Sequence, residues 1–146
     1  MLARQGQRLL QLAIILLLYA SVEGFAIPFF RSQRIGLSTH TLGALQAVLL
    51  LALGLVWPRL NLGPTAARIA FGCLVYSALA ILAAYTIAAA WGVGNETIRL
   101  ASELPHGLTR GTPLQENVIR ILSYSSAPAG LTAFVLVFWG LRSTPR

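Results

Sequence analysis

The 146-residue sequence has no lysine and no aspartate, only four glutamates and a single cysteine. Charged residues make up 10% of it, where a soluble domain carries about a quarter. With 56% hydrophobic residues and a mean hydropathy of +0.72, the chain is too apolar to be disordered. A water-soluble globule of this composition would expose large apolar patches. The lone Cys73 lies in an apolar segment and has no intrachain partner for a disulfide. Soluble-enzyme signatures are also missing: there is no G-x-S-x-G, no phosphate-binding loop, no paired carboxylates and no C-x-x-C.

What is there is arginine and long apolar runs. The formal net charge is +7. The arginines are single or paired between apolar stretches: Arg4, Arg8, Arg31, Arg34, Arg59, Arg68, Arg99, Arg110, Arg120, Arg142 and Arg146. Membrane flanks have this pattern. A nucleic-acid groove would cluster its basic groups beside stacking aromatics, so nucleic acid is not an expected partner. Four apolar segments, at about 9–30, 37–57, 66–91 and 118–141, are each near the roughly 20 residues that cross a bilayer. The expected fold is all-α, a four-helix transmembrane bundle forming a single integral membrane domain over residues 1–146. The first segment is too long, and lacks a small-x-small site, to read as a cleaved signal peptide. Arginine counts favour the side holding the termini and the 58–64 loop by six to about five, which places the termini in the cytoplasm.

Ionisable groups inside a span are costly, about 2.5–3.5 kcal/mol for a central charge on insertion scales. Two stand out. His40 shares one helical stripe with Gly43, Ala44, Ala47, Leu51 and Gly54. A stripe of small residues admits either a neighbouring helix or a flat cofactor. Glu23 lies near the end of the first segment, where it pairs with Arg31 or Arg34, stays protonated, or serves as the coupling site of a small four-helix transporter. Ser123, Tyr124, Ser125 and Ser126 precede Pro128, which frees the Tyr124 carbonyl. The serines either satisfy that carbonyl or line a cavity. Tyr76 and Tyr85 fall on opposite faces of the third segment. His106 lies in the long 92–117 loop.

The run from Arg34 to His40, the Leu53 to Leu60 segment, Ala90-Trp91-Gly92-Val93-Gly94, the Gly111 to Gln115 turn and Phe138 to Arg142 resemble the hydroxylaminobenzene mutase family. The resemblance runs from about residue 30 to 142. A more distant one is to styrene oxide isomerase, a four-helix membrane enzyme that uses haem b. There a second-helix histidine ligates iron and an asparagine follows six residues later; this sequence has His40 and Gln46. The third helix of that enzyme has an aspartate and, eight residues on, a tyrosine; here stand Ser77 and Tyr85. The fourth shares an Ala-Pro-Ala step, Ala127-Pro128-Ala129. Gln46 and Ser77 depart from that pattern, and Ile81 stands where the mutases tend to have asparagine.

The resemblance implies a bacterial inner-membrane isomerase that assembles as a homotrimer. It implies haem b with His40 as the iron ligand and with Gly43 and Ala47 against the cofactor. Tyr85, Gln46 and Ser77 are then the residues around the substrate, a small lipophilic aromatic epoxide or arylhydroxylamine. Ferric haem b would act as a Lewis acid on the substrate oxygen. The alternative is the transporter subunit, with Glu23 as its coupling residue and no cofactor.

Overall fold

The computed structural model describes residues 1–94, 96–98 and 111–142. His106, Arg99, Arg110 and Arg146 lie outside the described residues. The chain folds into α1 (Leu2–Ala26), α2 (Gln33–Val56), α3 (Pro64–Trp91) and α4 (Pro113–Arg142), each long and apolar enough to span a membrane. The architecture is the expected all-helical four-span bundle. The helices are 24–30 residues long, about 36–45 Å at 1.5 Å per residue. That exceeds a hydrocarbon core of about 30 Å, so their ends project past it or the helices tilt.

Helix boundaries follow the backbone chemistry of proline and glycine rather than the edges of the apolar runs. The first two helices end at Ala26 and Val56, each followed by a single 3₁₀ turn holding Pro28 or Pro58. Proline has no N–H to continue the α-helical ladder. Pro64 and Pro113 instead open α3 and α4, where a missing N–H costs nothing. Helix α1 starts at Leu2, a full two turns before the apolar run, because Arg4, Gln5 and Arg8 are compatible with helix at the water interface. Helix α3 stops at Gly92 (φ +70°), whose N–H reaches the Ala88 carbonyl at 2.8 Å.

Helix α1 packs along α2 and α3 along α4, and the two hairpins join mainly through α2 and α3. The buried positions are mostly small: Ala13, Ala20, Ala47, Ala67, Ala70, Ala78, Ala84 and Ala88 are at most 3% exposed. Many large side chains point out instead, with Leu18, Val22, Phe25, Phe29, Leu55 and Phe138 all more than 60% exposed, while Trp57, Leu9 and Leu50 fill the core. This inversion suits lipid, where close backbone packing holds helices together and outward apolar groups need no cover. Two backbone bonds tie the ends: Ser32 N–H donates to the Ala89 carbonyl (3.1 Å) and Asn61 N–H to the Gly140 carbonyl (3.0 Å).

Around Pro128 the serines cap carbonyls, though not through Tyr124. Ser125 and Ser126 donate to Leu122 (3.3 Å) and Ser123 (2.7 Å), and Thr132 donates to the Pro128 carbonyl (2.8 Å). Tyr76 turns toward α4 and its hydroxyl meets Ser125 Oγ at 2.7 Å, while Tyr85 faces α2.

Candidate functional site

The polar groups inside the span converge from three helices. On α1, Tyr19 and Glu23 are four residues apart and share a face. Thr86 of α3 donates its hydroxyl proton to the Leu82 carbonyl (2.8 Å), so Tyr19 is the donor in the 2.7 Å bond to Thr86 Oγ1. His40 of α2 completes the group. Its Nδ1 lies 2.8 Å from the Ala20 carbonyl. A carbonyl only accepts, so Nδ1 carries the proton and the Nε2 lone pair is left free. The Nδ1–Cε1 edge of the ring lies against Gly24, where a Cβ would come within 3.1 Å of Cε1 and 3.2 Å of Nδ1. A side chain at position 24 would therefore push the imidazole away from α1. The side chain of His40 remains 39% exposed, at the lipid edge of the α1/α2 seam.

Glu23 is 97% buried as a side chain, and its Oε2 is 3.8 Å from His40 Nδ1. Neither carboxyl oxygen has a hydrogen-bond partner. The partner shown for Glu23 is thus the histidine, and the two polar groups that looked separate in the sequence form one site. A buried acid without partners is costly to keep. Glu23→Leu is expected to raise the unfolding midpoint while lowering activity, the pattern of a residue kept for function. Thermal unfolding and turnover of the same preparation check it, and a variant that gains stability at full activity contradicts the functional role.

The small-residue stripe serves helix packing. A Cβ on Gly43 would sit 3.4 Å from Ala20 Cβ and 3.6 Å from Leu82 Cδ1, and Ala47 has no exposure. These two residues bring α1 and α2 close enough for His40 to reach the Ala20 carbonyl, and in this chain they present no open face. Ser77 lies in the α3/α4 seam, away from His40, with its hydroxyl donated to the Ser126 carbonyl at 2.8 Å. Gln46 is half-buried on α2.

Tyr85 lines a groove of about 450 Å³ between α2 and α3, with Leu37, Ser38, Thr41, Leu42, Leu45 and Ile81. Ser38 and Thr41 turn their hydroxyls back to the Arg34 and Leu37 carbonyls (3.2 and 3.0 Å). The groove wall is therefore apolar apart from the Tyr85 hydroxyl. Leu37, at i−3, is the groove residue that neighbours His40 on the surface of α2; the groove itself runs along the next face of the helix. Ile81, the departure from the mutase pattern, falls inside this groove. Ala20 and Gly24 escaped the sequence reading. Their only signal was a small residue at each of two positions four apart, flanking Glu23.

The structure thus combines a four-helix membrane bundle, a histidine held in a fixed tautomer and an apolar groove between α2 and α3. The styrene oxide isomerase family model matches residues 5–142, and the chain belongs to that family. It is similar to hydroxylaminobenzene mutase HabB of Ectopseudomonas oleovorans, with 41% identity over 140 residues covering 96% of this chain and 83% of that one. It is also similar to hydroxylaminobenzene mutase HabA of the same organism, with 33% identity over 129 residues, 88% of this chain and 92% of that one. No solved structure matches it significantly. The protein is thus an isomerase of the mutase type.

Proposed function

We propose that the protein rearranges a small lipophilic arylhydroxylamine to an aminophenol within the bilayer, with haem b held by His40. The family supports the reaction class, and both similar mutases carry hydroxylaminobenzene in their names. The orientation of His40 supports the haem. With Nδ1–H held by the Ala20 carbonyl, Nε2 is the available nitrogen of a partly exposed ring. Metal-ligating histidines are commonly fixed in this way, by a bond from the other nitrogen to a carbonyl or carboxylate. Glu23, 3.8 Å away, is a second acceptor within a small ring movement. Among the described residues no three His, Cys, Asp or Glu side chains converge, so a bare ion would lack a ligand frame. A porphyrin brings its equatorial ligands with it.

Ferric haem b would supply Lewis acidity to the substrate's oxygen. Substrate and product have the same atoms: the N–O bond breaks, a C–O bond forms at the ortho carbon, and the ring proton passes to nitrogen. No external oxidant or reductant is required. Leu37, Leu42, Leu45 and Ile81 exclude water from the groove, which slows capture of a cationic ring by solvent. Tyr85 offers the groove's hydroxyl to the migrating oxygen, and Gln46 is the second polar candidate on α2. The partial exposure of His40 leaves room for a second copy to cover the site, the arrangement a homotrimer would provide. The arginine distribution supports an inner-membrane orientation with cytoplasmic termini.

Tyr85→Phe is expected to lower turnover by about 10²-fold while leaving haem content unchanged. Steady-state kinetics beside a pyridine haemochrome assay measure both, and full activity in the variant removes Tyr85 from the reaction. The reading as a whole is tested on detergent-purified protein by its absorption spectrum and by incubation with phenylhydroxylamine and with an aryl epoxide. A Soret band with aminophenol formation supports it. A colourless, active protein overturns the haem, and turnover of the epoxide alone overturns the substrate.

A further inference from the structure

The membrane side that holds the N-terminus carries a second polar feature, which the isomerase reading does not use. Arg4 and Arg8 of α1, one turn apart, meet Arg68 of α3 around a pocket of about 580 Å³ that Met1 and Gln5 also line. The pocket is built on a fixed floor. Gln5 is 8% exposed; its Nε2 donates to the Ala67 carbonyl (3.3 Å) and its Oε1 accepts from Trp57 Nε1 (3.3 Å). These bonds clamp the start of α1 to the start of α3, which sets Arg4 and Arg8 opposite Arg68. Helices α1 and α3 both begin on this side, with no side-chain cap and no acid in the first turn. Their positive dipole ends add to the three guanidinium charges.

No carboxylate offsets that charge among the described residues. Glu23 lies at the far end of α1, and Glu96 and Glu116 follow α3 on the opposite side of the membrane. Like charges converging beside a low-dielectric bilayer repel one another unless an anion sits between them. Guanidinium groups pair well with tetrahedral oxyanions, through parallel N–H donors. Basic pockets between spanning helices at the membrane interface suit phosphate headgroups.

We propose that Arg4, Arg8 and Arg68 form a binding site for a phosphate group, presented by the headgroup of an anionic lipid. The pocket opens at the helix ends, the level at which headgroups lie, and the outer faces of these helices are lipid-facing. The bound lipid then adds to the Gln5–Ala67 and Tyr19–Thr86 bonds as a further tie between α1 and α3, which have few close backbone contacts.

The test uses full-length protein stripped of lipid in a non-ionic detergent. Its unfolding temperature is followed while phosphatidylglycerol, phosphatidylcholine or inorganic phosphate is added. Ligand binding to the folded state raises the midpoint in a saturable way. The expected result is a saturable rise with phosphatidylglycerol and none with phosphatidylcholine at equal concentration. Arg68→Gln is expected to weaken the apparent affinity by about tenfold, and Arg4→Gln combined with Arg68→Gln to abolish the rise. Arg59→Gln, on the same membrane side but outside the pocket, keeps the wild-type response. Equal weakening by Arg59→Gln would show diffuse surface attraction and overturn the site. A rise with inorganic phosphate equal to that with phosphatidylglycerol would overturn the lipid source and assign free phosphate. Should Arg68→Gln fail to fold, Arg8→Gln gives the same readout from an exposed position.

Discussion

His40→Ala is expected to produce a colourless protein with at least a hundredfold lower turnover, a loss on the scale of removing one electrostatic stabiliser of a reaction. The fold should survive, because the substitution removes one hydrogen bond worth about 1 kcal/mol and a partly exposed ring. The absorption spectrum and unfolding midpoint of the same sample separate loss of the ligand from loss of the structure. Added imidazole should restore part of the colour, since Gly24 leaves the emptied place beside α1 unblocked. A variant that keeps both its Soret band and its activity would remove His40 from the iron. The Glu23→Leu and Tyr85→Phe results are then read against this one: the first concerns a group beside His40, the second a group across the groove.

The largest effect on stability is expected from Gly6→Val. A Cβ at Gly6 would lie 2.8 Å from the Gly54 carbonyl oxygen and 3.3 Å from both Pro58 Cδ and Trp57 Cβ. The first of these is backbone and cannot swing aside. The helices must separate, and overpacking of this kind costs about 1–3 kcal/mol. Gly72→Val is the matched control, because nothing lies within 4 Å of a Cβ there. Unfolding midpoints of the two variants in one detergent measure the difference. Equal midpoints would mean that the α1/α2 seam is looser than the contact between Gly6 and Gly54 requires.

These substitutions separate two uses of small residues. Gly6, Gly43 and Gly54 let backbones approach, and the approach is what carries His40 to the Ala20 carbonyl. Gly24 instead makes room for the ring itself. Both uses look alike in a sequence, as a glycine on an apolar helix. The distinction has a functional consequence, since a flat cofactor needs an open face. In the folded chain Gly43 and Ala47 are buried in the helix seam, whereas His40, at the start of the same stripe, stays partly exposed, with Leu37 and Thr41 exposed on its flank.

The sequence by itself determined the number of spans, the membrane setting and the family, and it singled out His40, Glu23 and Tyr85 as candidates. The spans, His40 and Glu23 depend on local properties, namely apolar run length and the cost of an ionisable group in lipid; the family and Tyr85 rest on motif resemblance. Tertiary structure alone decided which groups meet. Glu23 faces His40 rather than Arg31 or Arg34 because α1 and α2 pack tightly enough to bring residues 17 apart in the chain within 3.8 Å. Ser77 is committed to the Ser126 carbonyl because α4 lies against α3 at Gly130, where a Cβ would come within 2.7 Å of Ser77 Oγ. The tautomer of His40 follows from a carbonyl one helix away. The basic pocket needed Arg68 to arrive beside Arg4 and Arg8, which Gln5 arranges across 62 residues of chain. Helical periodicity tells which residues share a face, but the neighbour of that face is fixed only when the helices pack.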